Sequence, residues 1–181
     1  VTGAVVLAAG ASVRLGQPKQ LVVRDGETLV HRAARVALEA GCAPVVVVEG
    51  AVPLGEAVKD LRVETVPCAD WQAGQGASLK RGVAAVGARC EAVVVLLVDQ
   101  LLVTAADVRA LVTAPGLVAA AEYEGVLGVP ARFSGTALDV LRALGDGEGA
   151  RGWLARNRAQ VTPVPMPHAA IDLDVPDDLS R

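Results

Sequence analysis

Aromatic side chains are nearly absent: two tryptophans, one tyrosine and one phenylalanine make up 2% of the 181 residues. So few rings exclude the stacking platforms on which single-stranded nucleic acid is held. Cationic charge is not in excess either, since 17 lysines and arginines face 20 acidic residues for a net charge of −3, which argues further against a nucleic-acid partner. A small anionic ligand needs only a local positive cluster, so that class stays open. Cysteine is scarce as well. Cys42, Cys68 and Cys90 are odd in number and contain no C-x-x-C pair, which excludes a disulfide framework and a zinc site and leads us to expect reduced thiols in a cytoplasmic protein. No apolar run is long enough to span a membrane, and residues 1–9 lack the basic head of a signal peptide, so no membrane partner is expected. Only two histidines are present: His31 is expected within a helix as a surface or boundary residue, His168 in an irregular segment. With no Ser–His–Asp or Cys–His arrangement, covalent catalysis through an enzyme nucleophile is not expected.

What is abundant is small and β-branched: 52% of the chain is hydrophobic, dominated by alanine and valine. The length suits one domain over residues 1–181. Apolar runs at Ala4–Ala9, Val45–Val48, Val93–Val98 and Leu117–Ala121 are continuous rather than alternating, as in strands covered on both faces. Between them the spacing predicts helices over Leu29–Ala40, stopped by Gly41, over Gln75–Val86, and over Ala105–Val112 with Thr104 as N-cap. Strands alternating with helices imply an α/β fold of parallel βαβ units in a doubly wound sheet. Gly145–Gly152, with four glycines, reads as a mobile loop.

In such sheets ligands bind beyond the carboxyl ends of the strands, and the polar residues of interest fall there. Behind the first run stands LAAGASVRLGQPKQL, residues 7–21. Gly10 and Gly16 permit tight turns and close ligand approach. Ala9, Ala11 and Ser12 are small enough for several N–H groups to share one concavity, while Arg14 and Lys19 bring a forked and a mobile cation. That is chemistry suited to a polyphosphate. The standard fingerprints do not fit it: Gly10 to Gly16 is one residue too long for a Walker loop and is followed by Gln17, and Ser12 replaces the second glycine of G-x-G-x-x-G. The third run ends in Asp99-Gln100, a carboxylate at a strand tip suited to Mg²⁺, which takes hard oxygen ligands and keeps several waters. Ile171-Asp172-Leu173-Asp174 alternates apolar and acidic, so on a strand both carboxylates would share a face and either could serve the same ion.

Leu7, Gly10, Ser12, Arg14, Gly16 and Lys19 together resemble the L-x-x-G-x-S-x-R-x-G-x-x-K signature of nucleotidyltransferases with a GT-A-like fold. Within that superfamily the L-A-A-G form is similar to the MocA-like branch, the cytidylyltransferases of molybdenum cofactor maturation; Pro18-Lys19-Gln20 also resembles the cytidylyltransferase of the methylerythritol phosphate pathway. Further blocks carry the likeness. Asp99-Gln100-Leu101 stands where the family has D-Q-P, and residues 172–179, DLDVPDDL, resemble D-[IL]-D-T-P-E-D-L. Residues 70–80 resemble W-x-x-G-x-x-x-S-[LI], residues 125–133 G-x-x-G-x-P-x-x-[FL], and residues 145–151 a G-D-x-G-A-R block one residue longer. The resemblance implies a three-layer α/β/α sandwich on a mostly parallel, Rossmann-like sheet. It also implies nucleotide binding by Leu7, Ala8, Ala9, Gly10, Ser12, Arg14, Lys19, Gly74 and Ser78, with Arg14, Lys19 and Asp99 catalytic. Mg²⁺ would be held by Asp99 with Asp172 or Asp174. CTP is then the favoured donor and a molybdopterin-type phosphate the acceptor, with a molybdoenzyme or chaperone as onward partner. A sugar or polyol phosphate acceptor, an NAD(P)H-dependent pyridine-pigment reductase, described for some proteins of this family, and a non-catalytic cofactor carrier are the competing readings.

Overall fold

Valine-rich runs become strands buried from both sides, and glycine and proline interrupt them into a regular alternation with helices. The computed structural model describes residues 1–172. The chain runs through β1 (Thr2–Leu7), a small hairpin of β2 (Val23–Arg24) and β3 (Glu27–Thr28), α1 (Leu29–Glu39), β4 (Val45–Glu49), β5 (Glu64–Pro67), α2 (Gln75–Val86), β6 (Ala92–Leu97), α3 (Ala105–Thr113), β7 (Val118–Tyr123), β8 (Val126–Ser134), α4 (Leu138–Ala143), α5 (Ala150–Arg156) and β9 (Val161–Pro165). Seven strands form one sheet in the order β5-β4-β1-β6-β8-β7-β9. It is mostly parallel, and β8 alone runs antiparallel to its neighbours, β6 and β7.

The alternation of side chains along each strand divides the core into two layers. Ala4, Val6, Val94 and Leu96 face α1 and α3, packing on Leu29, Ala33, Val36, Val108 and Leu111. Val5, Leu7, Val93 and Val95 face α2, α4 and α5, packing on Leu79, Val83, Leu141 and Leu154. With so few large side chains, close approach replaces bulk: any Cβ on Gly82 of α2 would collide with Val5 and Val48 of the sheet. The single phenylalanine, Phe133, is fully buried and meets the Trp153 ring at 5.8 Å between centroids.

The expected helices are present. α2 has the expected bounds, Gly41 stops α1 at φ +90°, and the Thr104 side chain caps α3 in a reciprocal box with Asp107. Residues 125–133 form most of an antiparallel strand, reached by a hairpin turn in which both Glu124 and Gly125 have positive φ (51° and 76°), the one reversal in a mostly parallel sheet. One sequence reading needs correction. The 145–149 loop is tethered rather than loose: its Asp146 carbonyl accepts from Ala77 N of α2, its Asp146 carboxylate pairs with Lys80, and Glu148 pairs with Arg156. Among the described residues no helix is long and apolar enough to cross a membrane.

Candidate active site

β1 and β6 are neighbours with Leu7 level with Leu97, so the loop after Leu7 and Asp99, two residues past Leu97, emerge side by side at the carboxyl edge of the sheet. A cavity of about 320 Å³ opens there. Leu7, Ala8, Ala9 and Gly10 form one wall and Val98 and Asp99 the floor beside it. Trp71, Gln72, Gly74, Gln75 and Ser78, around the start of α2, close the opposite side, and Lys19 and Gln20 stand between.

The shape of the glycine loop is imposed by Gln20. Its side chain is buried, and its amide donates to the Ala8 carbonyl at 2.7 Å and the Gly10 carbonyl at 2.6 Å. Because a trans peptide points its N–H opposite its C=O, the N–H groups of Ala9 and Ala11 are turned away from the glutamine. Ser12, held at φ 57°, reinforces the arrangement: its hydroxyl donates to Gln20 Oε1 at 3.4 Å and accepts from Lys19 N at 3.0 Å. The loop is thereby folded back onto the short turn Lys19–Leu21 that carries the lysine. Gln20 escaped the sequence reading because a polar residue beside a lysine resembles ordinary surface; its only signal was its place at the end of the glycine-loop motif.

Lys19 Nζ lies 2.7 Å from Asp99 Oδ2, with the two side chains 19% and 13% exposed. Such a shielded, charge-assisted bond is among the stronger hydrogen bonds in proteins. Asp99 Oδ1 is buried with no hydrogen-bond partner among the described residues. An orphaned buried carboxylate oxygen is costly on its own, and a hard cation would satisfy it. Gln100, also buried, bonds through Nε2 to the carbonyls of Val129 at 2.7 Å and Ala169 at 3.0 Å. It also bridges to Asp172 in antiparallel register, which sets Asp172 opposite the chain neighbour of Asp99. Asp172 is the end of the described chain, and Asp174 lies outside the described residues. The expected acidic strand is therefore seen only as this single bridge. Among the described residues no cluster of three or more His, Cys, Asp or Glu side chains converges as a closed metal cage. The donor set fits an ion such as Mg²⁺ or Mn²⁺ that completes its shell with phosphate and water.

The remaining site candidates divide. Leu7, Ala8, Ala9, Gly10, Lys19, Gly74, Ser78 and Asp99 all line the cavity. Ser12 acts behind it, on the Lys19 backbone. Arg14 sits on the exposed turn between Ser12 and Gly16 and is not part of the cavity wall. Ser78 is buried, with its hydroxyl turned to Cys68 Sγ at 3.8 Å. Gly74 and Gly76 also serve the packing of the chain. A Cβ on Gly74 would stand 2.6 Å from the Asp146 carbonyl oxygen, and one on Gly76 would collide with the Gly145 carbonyl, so both glycines admit the 145–149 loop against α2. Ala77 N at the start of α2 is accordingly bonded to that loop rather than left for an anion. Tyr123 was not anticipated. Burial raises its phenol above the ordinary range, Arg151 draws it back, and Asp172 and Asp99 raise it further, which marks it as a neighbour of the acidic pair.

A phosphate-type glycine loop and a lysine–carboxylate pair at the carboxyl edge of a mostly parallel sheet define an α/β nucleotidyltransferase of the GT-A-like class. The chain belongs to the MobA-like NTP transferase family, whose domain matches residues 4–161. It is 32% identical over 158 residues to the purine catabolism protein PucB of Bacillus subtilis (strain 168), covering 81% of this chain and 77% of that protein. Among solved structures, Rv0371c of Mycobacterium tuberculosis H37Rv superposes with a TM-score of 0.80 at 29% identity, covering 100% of this chain and 96% of that one. A nucleotidyl transferase from Methanothermobacter, Mth528, gives 0.82 at 25% identity over 99% and 94% of the two chains. A further structure of Rv0371c is a manganese complex.

Proposed function

We propose that this nucleotidyltransferase moves CMP from CTP onto the phosphate of a molybdopterin-type acceptor, releasing pyrophosphate. The observation that carries the reading is the Lys19–Asp99 pair at the floor of the cavity, with an orphaned oxygen on the aspartate. The Ala8-Ala9-Gly10 form of the loop supports CTP as donor, and the family match along most of the chain supports the chemistry. Three buried free cysteines are compatible with a cytoplasmic setting.

A phosphate monoester has a second pKa of about 6 and is largely dianionic at neutrality, so the acceptor needs no general base, in keeping with a cavity that no histidine lines. The barrier is the approach of two anions. The loop that Gln20 holds would fix the triphosphate in line with the acceptor, Lys19 would carry negative charge on the departing pyrophosphate, and Arg14 would join it from the exposed turn. Asp99, with Asp172 or Asp174, would hold a divalent ion, Mg²⁺ in this reading, that supplies charge neutralisation at the α-phosphate.

The test is pyrophosphate release with CTP, GTP, ATP and UTP in turn, with Mg²⁺ and molybdopterin, beside Asp99→Asn and Lys19→Ala. CTP-selective release that both substitutions abolish supports the proposal. Release with a sugar or polyol phosphate but not molybdopterin reassigns the acceptor; silence with every nucleotide in folded protein overturns transfer in favour of a carrier or a reductase.

A further inference from the structure

Asp99 offers two carboxylate oxygens, and they differ. Oδ2 is 2.7 Å from the Lys19 ammonium, whereas Oδ1 is buried and without a hydrogen-bond partner among the described residues. A divalent cation approaching Asp99 in the absence of nucleotide therefore meets a positive charge already in contact with its ligand, in a pocket shielded enough for the repulsion to count. The lysine is built to leave. Its backbone is fixed by the bond from Lys19 N to Ser12 Oγ at 3.0 Å and by the neighbouring Gln20. Its side chain is a flexible stem whose compact charge can turn from one anion to another within the same cavity.

We propose that Lys19 couples metal binding to nucleotide binding. In the nucleotide-free protein it holds Asp99 and keeps divalent metal weakly bound. Triphosphate oxygens entering the cavity take over the ammonium, Asp99 is released to the metal, and each ligand strengthens the other by the same factor, as linkage requires. This inference rests on the reading of Asp99 as a metal ligand, and it concerns the order in which charges are exchanged rather than the identity of donor or acceptor.

The experiment is a titration of the full chain with Mn²⁺, following the free-ion signal by electron paramagnetic resonance. It is run alone and with α,β-methylene CTP, subtracting the analogue's own Mn²⁺ binding. Wild type should bind Mn²⁺ weakly alone and about tenfold or more tightly with the analogue. Lys19→Met should bind Mn²⁺ alone about tenfold better than wild type and gain little from the analogue. Lys19→Gln should reproduce this if the methionine variant fails to fold, and Lys19→Arg, which keeps the charge, should behave as wild type. Mn²⁺ affinity that is unchanged in Lys19→Met and Lys19→Gln, while Asp99→Asn abolishes binding, overturns the coupling and leaves the metal assignment intact. Mn²⁺ binding that survives Asp99→Asn overturns both.

Discussion

The amide of Gln20 lies 2.6 Å from the carbonyl oxygen of Gly10, and through this contact a residue ten positions further along the chain sets the shape of the glycine loop. Replacing Gln20 by Leu leaves the Ala8 and Gly10 carbonyls without their buried donor, at a cost of about 1–3 kcal/mol. The loss should appear mainly as weaker nucleotide binding, with a further fall in turnover of roughly tenfold to a hundredfold from misplaced phosphates. Gln20→Glu should be worse at neutral pH, because a carboxylate would face two carbonyl oxygens, and should recover in part as acid protonates it into a donor. Isothermal titration with a non-hydrolysable nucleotide across pH checks this; binding by Gln20→Leu equal to wild type would remove Gln20 from loop control.

Gly76→Ala should pry the 145–149 loop from α2, since the new methyl would collide with the Gly145 carbonyl and stand 2.6 Å from that of Glu148. The overpacking should cost about 1–3 kcal/mol and break the bond from Ala77 N to Asp146. Limited proteolysis should then cut near residues 145–149 well before it cuts wild type.

Arg132 is a buried cation that bonds to backbone and hydroxyl oxygens: it donates to the carbonyls of Leu111 at 3.1 Å, Gly116 at 2.9 Å and Ala114 at 2.7 Å, and to Ser134 Oγ at 2.7 Å. It closes the C-terminal end of α3 from β8, and burial lowers its pKa. Arg132→Met should destabilise by about 2–3 kcal/mol, lowering Tm by roughly 5–10 °C, while activity per folded molecule is retained. Calorimetry and an activity assay below the transition separate the two effects.

His31 links α1 to the segment before β5, with Nδ1 2.8 Å from Glu27 and Nε2 3.0 Å from Asp60. Burial disfavours its charged form, but the hydrogen bonds to Asp60 and Glu27 prevail and raise its pKa above the ordinary 6.5. The stabilisation is therefore complete below about pH 6.5 and is lost as pH rises through the elevated folded value. Glu27 shifts the other way, lowered chiefly by Arg35, so its contribution is lost only as pH falls through the acid range. Wild type should lose a little Tm between pH 6 and 8.5, and His31→Gln should flatten that slope. An unchanged slope would assign the pH dependence elsewhere.

Much of this architecture is written locally. Valine runs, the Gly41 stop and the Thr104 cap are decided by neighbouring residues, so their elements were legible in the sequence. β8 was not, because Gly128 and Pro130 interrupt the pattern of an ordinary strand and proline suits only special strand positions. Its partners β6 and β7 supply the pairing that its own residues do not advertise. In the candidate site, Gly10, Lys19 and Asp99 stand at motif positions, and the structure brings them to one cavity. Gln20 and Tyr123 matter through burial and neighbours distant in sequence, which a linear reading does not display. Gly74, expected at the nucleotide, lines the cavity and, like Gly76, also admits the 145–149 loop against α2, a packing role that no motif displays.

The reversed direction of β8 has a consequence for how such a molecule can diversify. Because it runs against β6, it begins at the carboxyl edge of the parallel strands, and the Glu124–Gly125 tip lies at that edge, beside the Tyr123 phenol that feels Asp172 and Asp99, instead of at the far end of the sheet. The cavity walls come from the end of β1, the end of β6, the turn that carries Lys19 and Gln20, and the approach to α2, none of which passes through that tip. Lengthening or recolouring a two-residue turn would thus redraw this part of the edge while the cavity walls are left unchanged.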